Sequence, residues 1–202
     1  MAGRVSVAAV LLAAGSSRRF GAANKLLADI AGVPLVRCVA NVVAASNATE
    51  MIVVTGHDRS AVAAALAGLS VTIVHNSRHL DGMGTSIAAG ISALATHCDG
   101  ALVVQGDMPE LTAALIDRLI ARFAGSGTDR IVHPVDAGGH QGNPVLWPRR
   151  LFAGLARLDG DTGGKGLIVQ EAGVVETVLV PDSRAFADID TPADLARHID
   201  RR

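Results

Sequence analysis

The stretch VLLAAGSSRRFGAANKLL, residues Val10–Leu27, decides the fold. Its apolar start is typical of a buried strand, and the apolar run ends at Gly15, whose lack of a Cβ lets a ligand approach the backbone N–H. Hydroxyls follow, and then Arg18, Arg19 and Lys25, which can pair with phosphate oxygens. The spacing fits neither the P-loop nor the dinucleotide fingerprint. We interpret the stretch as a strand followed by an anion-binding turn; the alternative is a polar surface turn with solvated cations.

Short apolar runs recur along the chain and predict further strands. The predicted strands are Val5–Leu12, Met51–Thr55, Val71–His75, Ala101–Gln105, Arg130–Val135, Pro144–Trp147 and Val174–Val180. The predicted helices are Leu35–Ser46, Asp58–Leu69 with Asp58 as its N-cap, Thr85–His97, Thr112–Phe123 and Pro192–Ile199. This alternation predicts an α/β fold, a single Rossmann-like three-layer domain with a mostly parallel sheet. We expect one domain over residues 1–202, with the irregular region 125–166 as an insertion or lid over one edge of the sheet.

Composition limits the possible partners. The 202 residues are 50% hydrophobic, only 2% aromatic, and carry a net charge of −1. Few aromatic rings argue against stacking on single-stranded nucleic acid, and the near-zero charge argues against attraction to DNA or an anionic membrane. The first apolar run is too short to span a bilayer and continues into a charged turn, so we do not expect a leader peptide. Cys38 and Cys98 lack metal or redox spacing, which suits the cytoplasm.

Asp107 follows the predicted strand Ala101–Gln105 through one glycine. In open parallel sheets, ligands bind at the carboxyl ends of the strands, near the point where the strand order reverses. A carboxylate there is costly to desolvate unless a partner binds it, and Mg²⁺ prefers such oxygen ligands. The sequence therefore favours Asp107 as a metal ligand; the alternative is helix capping or hydrogen bonding within the loop near Pro109.

Asp190 follows a short apolar stretch and precedes the last predicted helix. It is a second candidate metal ligand, but Asp190 or Thr191 could instead cap the helix Pro192–Ile199. We expect Asp188 on the opposite face of the extended chain, so that Asp188 and Asp190 do not share one ion.

The stretch LLAAGSSRRFGAANKLL, residues Leu11–Leu27, resembles the signature of the MobA-like nucleotidyltransferases, which bind a nucleoside triphosphate on a Rossmann-like sheet. Four further blocks resemble the family in the same order: Asp81–Leu94, Val103–Pro109, Gly138–Ile168 and Asp188–Leu195. Within the family, the chain is most similar to the molybdenum cofactor cytidylyltransferases. Guanylyl-transferring relatives typically carry Leu-Ala-Gly-Gly and Asp-Lys, so Ala14 and Asn24 favour cytosine. Lys165 departs from the pattern, because an arginine or a small residue is common there.

The resemblance implies roles for individual residues. Arg19, Lys25 and Asp107 are the implied catalytic residues, with Asp107 and Asp190 as the metal ligands. The implied nucleotide pocket consists of Leu12, Ala13, Ala14, Gly15, Gly82, Gly84 and Ser86, and the implied acceptor-binding residues are His140, Asn143 and Lys165. Simpler explanations remain for some of them: Thr85 or Ser86 caps a helix, and the acceptor-side residues lie on a surface loop without a role. The histidines His57, His75, His79, His97, His133 and His198 lack metal spacing, and we expect them at the surface or at strand ends.

The resemblance also implies a reaction. CMP would pass from CTP to the terminal phosphate of molybdenum-bound molybdopterin with Mg²⁺ as cofactor, pyrophosphate would leave, and a molybdoenzyme or an insertion chaperone would receive the product. Two alternatives stay open. The acceptor could be another phosphorylated compound, such as a sugar or isoprenoid phosphate, or the protein could be a non-catalytic module that binds and delivers a nucleotide or pterin.

Overall fold

The computed structural model describes residues 5–21 and 23–201 as one α/β arrangement built on a seven-stranded sheet. The strands are β1 (Val7–Ala13), β2 (Asp29–Ile30), β3 (Val33–Pro34), β4 (Glu50–Thr55), β5 (Thr72–His75), β6 (Gly100–Gln105), β7 (Ile131–Val135), β8 (Val145–Pro148) and β9 (Val175–Leu179). The α-helices are α1 (Leu35–Ala44), α2 (Arg59–Ala65), α3 (Met83–Ser92), α4 (Ala113–Gly125), α5 (Phe152–Leu155), α6 (Lys165–Gln170) and α7 (Pro192–Ile199). No helix in these two ranges is both long and apolar enough to cross a bilayer.

The sheet is mostly parallel, as predicted, with the strand order β5-β4-β1-β6-β8-β7-β9. Only β8 runs against its neighbours β6 and β7, and β2 pairs with β3 in a separate small hairpin. Strand β1 lies between β4 and β6, and Leu12 is in register with both Val54 and Gln105. The carboxyl ends of these three strands therefore meet at one edge, beside the point where the strand order reverses, which is where such sheets bind ligands.

Apolar side chains cover both faces of the sheet and give the three layers. In β1, Ala9 and Leu11 face a cluster that includes residues of α1, α2 and α4, while Val10 faces a second cluster that includes residues of α3 and α5. All three side chains are fully buried. Because successive side chains of a strand point to opposite faces, a continuous apolar strand such as β1 requires helices on both sides.

The region 125–166 is part of the sheet. It supplies β7 and β8, and β8 lies between β6 and β7 rather than at an edge. The strands were predicted from their apolar runs, but their place in the sheet was not, because an antiparallel strand can insert next to β6 without a crossover helix. The irregular parts of this region are mainly the loop between β7 and β8 and the loop between α5 and α6.

Two local predictions need correction. Asp58 stands at the N-cap position of α2 but adopts φ 52° and forms no side-chain cap; its carboxylate instead accepts a hydrogen bond of 3.3 Å from Asn24 Nδ2. The short helices α5 and α6 were not predicted, because four and six residues are too few to show a helical period.

Candidate active site

A cavity of about 420 Å³ opens at the carboxyl edge of β1 and β6. Its walls come from the turn after β1, the loop before α3 with the start of that helix, the end of β6, and the segment before α7. The lining residues are Leu12, Ala14, Gly15, Ser16, Ser17, Arg19, Lys25, Leu26, His79, Leu80, Gly82, Met83, Ser86, Gln105, Gly106, Asp107, Asp161, Asp188 and Asp190. We refer to Arg19, Lys25, Asp107, Asp188 and Asp190 as the charged end of the cavity, and to His79, Gly82 and Ser86 as its polar end.

Lys25 joins the two predicted metal ligands. Its Nζ lies 2.6 Å from Asp107 Oδ2 and 2.8 Å from Asp190 Oδ1, and its side chain is only 14% exposed. Burial alone would lower the pKa of Lys25, but the charges and hydrogen bonds of Asp107 and Asp190 outweigh it, and the net pKa is raised. The ammonium group therefore stays charged and holds a strand end and a distant loop together.

Arg19 approaches the same cluster from the solvent side. Its NH1 lies 2.9 Å from Asp190 Oδ2, and its side chain is 73% exposed. An ion pair this exposed contributes little to stability. The guanidinium can therefore exchange Asp190 for a ligand oxygen at low cost. The predicted phosphate contact of Arg18 concerns a side chain outside the described part of the chain.

The turn that carries these cations is held by Ser17 and Asn24. Ser17 Oγ donates to Asn24 Oδ1 at 3.2 Å and accepts from the Lys25 backbone N–H at 3.1 Å. Asn24 Oδ1 also accepts from the Leu26 backbone N–H at 3.0 Å, and Asn24 is 7% exposed. The Asn-Lys pair of the signature thus places Lys25: the buried amide folds the turn, and the next residue points into the cavity.

Three carboxylates converge opposite Lys25. Ligand atoms of Asp107, Asp188 and Asp190 all lie within 4.8 Å of one another. Asp107 Oδ1 is buried and has no hydrogen-bond partner within the described ranges. A buried carboxylate oxygen without a donor calls for an ion, since leaving it bare costs desolvation energy. The three residues therefore fit a divalent metal that prefers oxygen ligands.

The expectation that Asp188 and Asp190 point apart is wrong. In an extended chain, residues two apart share a face, and the residue between them points away. Here Ile189 points inward, since it is 2% exposed, and its N–H donates to the Asp107 backbone oxygen at 2.9 Å. Partial desolvation, and then the negative charges of Asp190 and Asp107, raise the pKa of Asp188. A bound cation would relieve that repulsion.

Asp190 does not cap the last helix. Thr191 does: its side chain accepts from the Asp194 backbone N–H, and the Asp194 carboxylate accepts from the Thr191 backbone N–H at 2.7 Å, a capping box. The Asp190 carboxylate is therefore available to Lys25, Arg19 or a metal.

The predicted nucleotide residues divide into two groups. Leu12, Ala14, Gly15, Gly82 and Ser86 line the cavity, whereas Ala13 and Gly84 are absent from its lining. Ala13 is a fully buried core residue.

Gly82 and Gly84 pack against a second loop. A Cβ on Gly82 would lie 2.2 Å from the Gly160 carbonyl carbon, and one on Gly84 would lie 2.8 Å from the Asp159 backbone oxygen. Gly84 N–H also donates to Gly160 O at 2.8 Å. The absence of side chains here lets this loop approach α3 and bring Asp161 to the cavity.

The predicted acceptor-binding residues lie outside the cavity lining. The His140 side chain is 81% exposed, and its Nδ1 lies 3.0 Å from Asp136 Oδ2. Asn143 is half-buried before Pro144, and Lys165 is exposed at the start of α6. The structure thus brings Arg19, Lys25, Asp107 and Asp190 together and leaves these three apart from them.

Sequence reasoning missed four polar residues of the cavity lining: His79, Gln105, Asp161 and Asp188. The period of two could have identified Asp188, and the position of Gln105 at a strand end could have identified that residue. No local sequence pattern identifies His79 or Asp161. Both residues reach the cavity through contacts between loops.

The chain is similar to known proteins over most of its length. Residues 9–174 match the model of the MobA-like NTP transferase domain family. The chain is 30% identical to a probable molybdenum cofactor guanylyltransferase of Natronomonas pharaonis, over 95% of this chain and 96% of that protein. It is 27% identical to nicotine blue oxidoreductase of Paenarthrobacter nicotinovorans, over 95% of each chain.

Other similarities are partial or structural. The chain is 37% identical to the bifunctional protein GlmU of Allorhizobium ampelinum over 71% of its length, but spans only 31% of that protein. The crystal structure of Rv0371c from Mycobacterium tuberculosis superposes with a TM-score of 0.82 at 25% identity, covering 98% of this chain and 100% of that one. Rv0371c has also been solved in complex with manganese, at 24% identity to this chain. The family model matches most of the chain, including the turn that carries Arg19 and Lys25. This protein therefore belongs to the MobA-like NTP transferase domain family.

Proposed function

We propose that this protein is a Mg²⁺-dependent nucleotidyltransferase that transfers CMP from CTP to the terminal phosphate of molybdenum-bound molybdopterin and releases pyrophosphate. The observation that carries the proposal is the charged end of the cavity, where Lys25 Nζ lies 2.6 Å from Asp107 and 2.8 Å from Asp190. Cations for a polyphosphate and acids for a metal meet at one edge of the sheet, as transfer from a metal-bound triphosphate requires.

The reaction needs no covalent enzyme intermediate, because the attacking acceptor phosphate is already an anion. Its oxygen attacks the α-phosphorus of CTP in line with the bond to the leaving pyrophosphate, which breaks as the new P–O bond forms. The protein must hold two anions together and stabilise the charge that spreads as this bond breaks. Lys25 and Arg19 are placed to do so on the pyrophosphate side, and Gly15 offers an open backbone beside them: a Cβ there would meet no atom within 4 Å.

Asp107, Asp188 and Asp190 would hold the metal. When bound, Mg²⁺ polarises phosphate oxygens and neutralises part of their charge. Without ligand, Lys25 neutralises Asp107 and Asp190. If Asp107 and Asp190 held a divalent metal, its charge would replace that of Lys25 beside them, and the Lys25 ammonium group would be free to pair with the triphosphate.

The choice of CTP rests on the signature turn. Ala14 and Asn24 stand where guanylyl-transferring relatives typically carry glycine and aspartate, although one full-length relative is named as a probable guanylyltransferase. The acceptor rests on the same resemblance. Nicotine blue oxidoreductase is named for a redox activity, but the convergence of Lys25, Asp107 and Asp190 is what phosphoryl chemistry needs, and hydride transfer does not require it.

Pyrophosphate release tests the proposal. The assay uses CTP, GTP, ATP and UTP with Mg²⁺, each with and without molybdopterin or with a sugar phosphate or isoprenoid phosphate as acceptor. Release that requires both CTP and molybdopterin supports the proposal. Release with another acceptor assigns the chemistry to the alternative, and tight nucleotide binding without turnover identifies a delivery module. A preference for GTP overturns the choice of base while leaving the transferase chemistry intact.

A further inference from the structure

The loop between β5 and α3 brings a histidine to the cavity that the proposed reaction does not use. His79 lines the cavity, and its Nδ1 lies 3.2 Å from the backbone oxygen of Asn76. Because a carbonyl oxygen only accepts, Nδ1 carries the proton of the neutral ring, and Nε2 is left as an acceptor. Within residues 5–21 and 23–201, no hydrogen bond of the structure engages Nε2.

Packing fixes the position of this ring. A Cβ on Gly56 would lie 2.5 Å from His79 Cβ and Cγ, and 2.8 Å from the Ala14 backbone oxygen. The start of the imidazole ring therefore rests directly on the Gly56 backbone, next to the turn after β1. His79 also donates its backbone N–H to Asn76 O at 3.3 Å. The His79 side chain is therefore held by Asn76 and by the Gly56 backbone, so its acceptor atom Nε2 has a defined location.

Asn76 sets the hydrogen-bonding direction of a second cavity residue. The Arg78 backbone N–H donates to Asn76 Oδ1 at 2.9 Å, which identifies the oxygen of this amide. Its Nδ2 then donates to Thr85 Oγ1 at 2.8 Å and to Ser86 Oγ at 3.0 Å. Asn76 is 6% exposed and Ser86 is 5% exposed. Because Ser86 accepts from Asn76, its hydroxyl proton is free to be donated to a ligand.

We propose that Asn76 orients an acceptor, His79 Nε2, and a donor, the Ser86 hydroxyl, that together select cytosine over uracil; this rests on the proposed use of CTP. The amino group of cytosine donates and its ring N3 accepts. Uracil reverses both groups, with a carbonyl oxygen and a ring N–H at the same places. The pair therefore matches cytosine twice and opposes uracil twice, and a mismatch of buried polar groups is costly.

Binding of CTP and UTP in the presence of Mg²⁺, measured by calorimetry, tests this assignment without relying on turnover. In the variants, His79→Phe keeps a ring of similar shape without an acceptor, and His79→Gln keeps an acceptor oxygen. His75→Phe is the matched control, because His75 is exposed at the end of β5 and lies outside the cavity lining. We expect the wild type to prefer CTP, His79→Phe to lower the ratio of CTP to UTP affinity about tenfold to hundredfold, His79→Gln to restore part of it, and His75→Phe to leave it unchanged.

The outcomes separate the two proposals. A wild type that prefers CTP together with an unchanged ratio in His79→Phe overturns the role of His79 and leaves CTP as the donor. An equal loss of CTP and UTP affinity in His79→Phe shows a merely structural residue and also overturns it. A wild type that binds GTP more tightly than CTP overturns the proposed donor, and the cytosine assignment with it.

Discussion

The charged end of the cavity and the acceptor-side residues His140, Asn143 and Lys165 contrast in how they are assembled. Arg19, Lys25, Asp107 and Asp190 come from three distant stretches of sequence, yet they form direct ion pairs of 2.6 to 2.9 Å. The acceptor-side residues come from one stretch, and none of them lines the cavity.

The difference follows from the topology of the sheet. Lys25 and Asp107 follow β1 and β6, which are adjacent and parallel, so their carboxyl ends must meet. His140 lies in the loop before β8, and Lys165 begins α6 after it. Because β8 runs antiparallel, no such rule places these side chains. Parallel pairing therefore brings Lys25 and Asp107 together, whereas no such pairing brings His140 or Lys165 to the cavity.

The largest effect should come from Asp107. Replacing it with Asn removes the charge that would hold the metal, and we expect turnover to fall about 10³-fold or more. A second measurement is thermal unfolding with and without Mg²⁺. The ion should raise the melting temperature of the wild type, because ligands that bind the folded state stabilise it, and should do so much less in Asp107→Asn. Full turnover in this variant would remove the charged end from the mechanism.

The second-largest effect on turnover should come from Lys25. Lys25→Ala removes one charge-assisted contact to pyrophosphate, which costs about 10²–10³ in rate, while the fold in the presence of Mg²⁺ stays intact. Steady-state pyrophosphate release measures the rate, and circular dichroism measures whether the fold is intact. The control is Lys165→Ala, which removes the same charge outside the cavity lining and should retain nearly all of the turnover when the acceptor is saturating. Wild-type turnover in Lys25→Ala would contradict the role of this residue.

Sequence reasoning brought Lys25 and Asp107 of the charged end together because both residues follow strands. The apolar runs located β1 and β6, and the rule for parallel sheets then brought Lys25 and Asp107 to one edge. Sequence reasoning failed for residues whose positions depend on contacts between loops. Asp161 enters the cavity because the Asp159–Asp161 loop packs on Gly82 and Gly84, and no local pattern encodes that contact.

Gly82 should govern stability rather than chemistry. It has φ 113° and ψ 166°, a region almost restricted to glycine, and a Cβ there would lie 2.2 Å from Gly160 C. Gly82→Ala should cost about 1–3 kcal/mol in free energy of unfolding from the backbone strain alone, with a further cost for displacing the loop. Urea denaturation measures it. Gly68→Ala is the matched control, because Gly68 has φ 84° with no atom within 4 Å of an added Cβ. Equal losses in both variants would show that the contact with the Asp159–Asp161 loop contributes nothing.

The smallest effect should come from Lys165, and it should distinguish binding of the nucleotide from binding of the acceptor. Lys165→Ala should leave the affinity for CTP unchanged, because Lys165 is exposed and lies outside the cavity lining. It should raise the KM for the phosphorylated acceptor about twofold to fivefold, since one exposed charge contributes roughly 1 kcal/mol or less. Lys165→Arg keeps the charge and should restore the KM. A change in CTP affinity would mean that the acceptor-side residues reach the donor nucleotide, and the division drawn from the sheet topology would then fail. An unchanged KM in Lys165→Ala would instead leave Asp161, which does line the cavity, as the contribution of this region to the site.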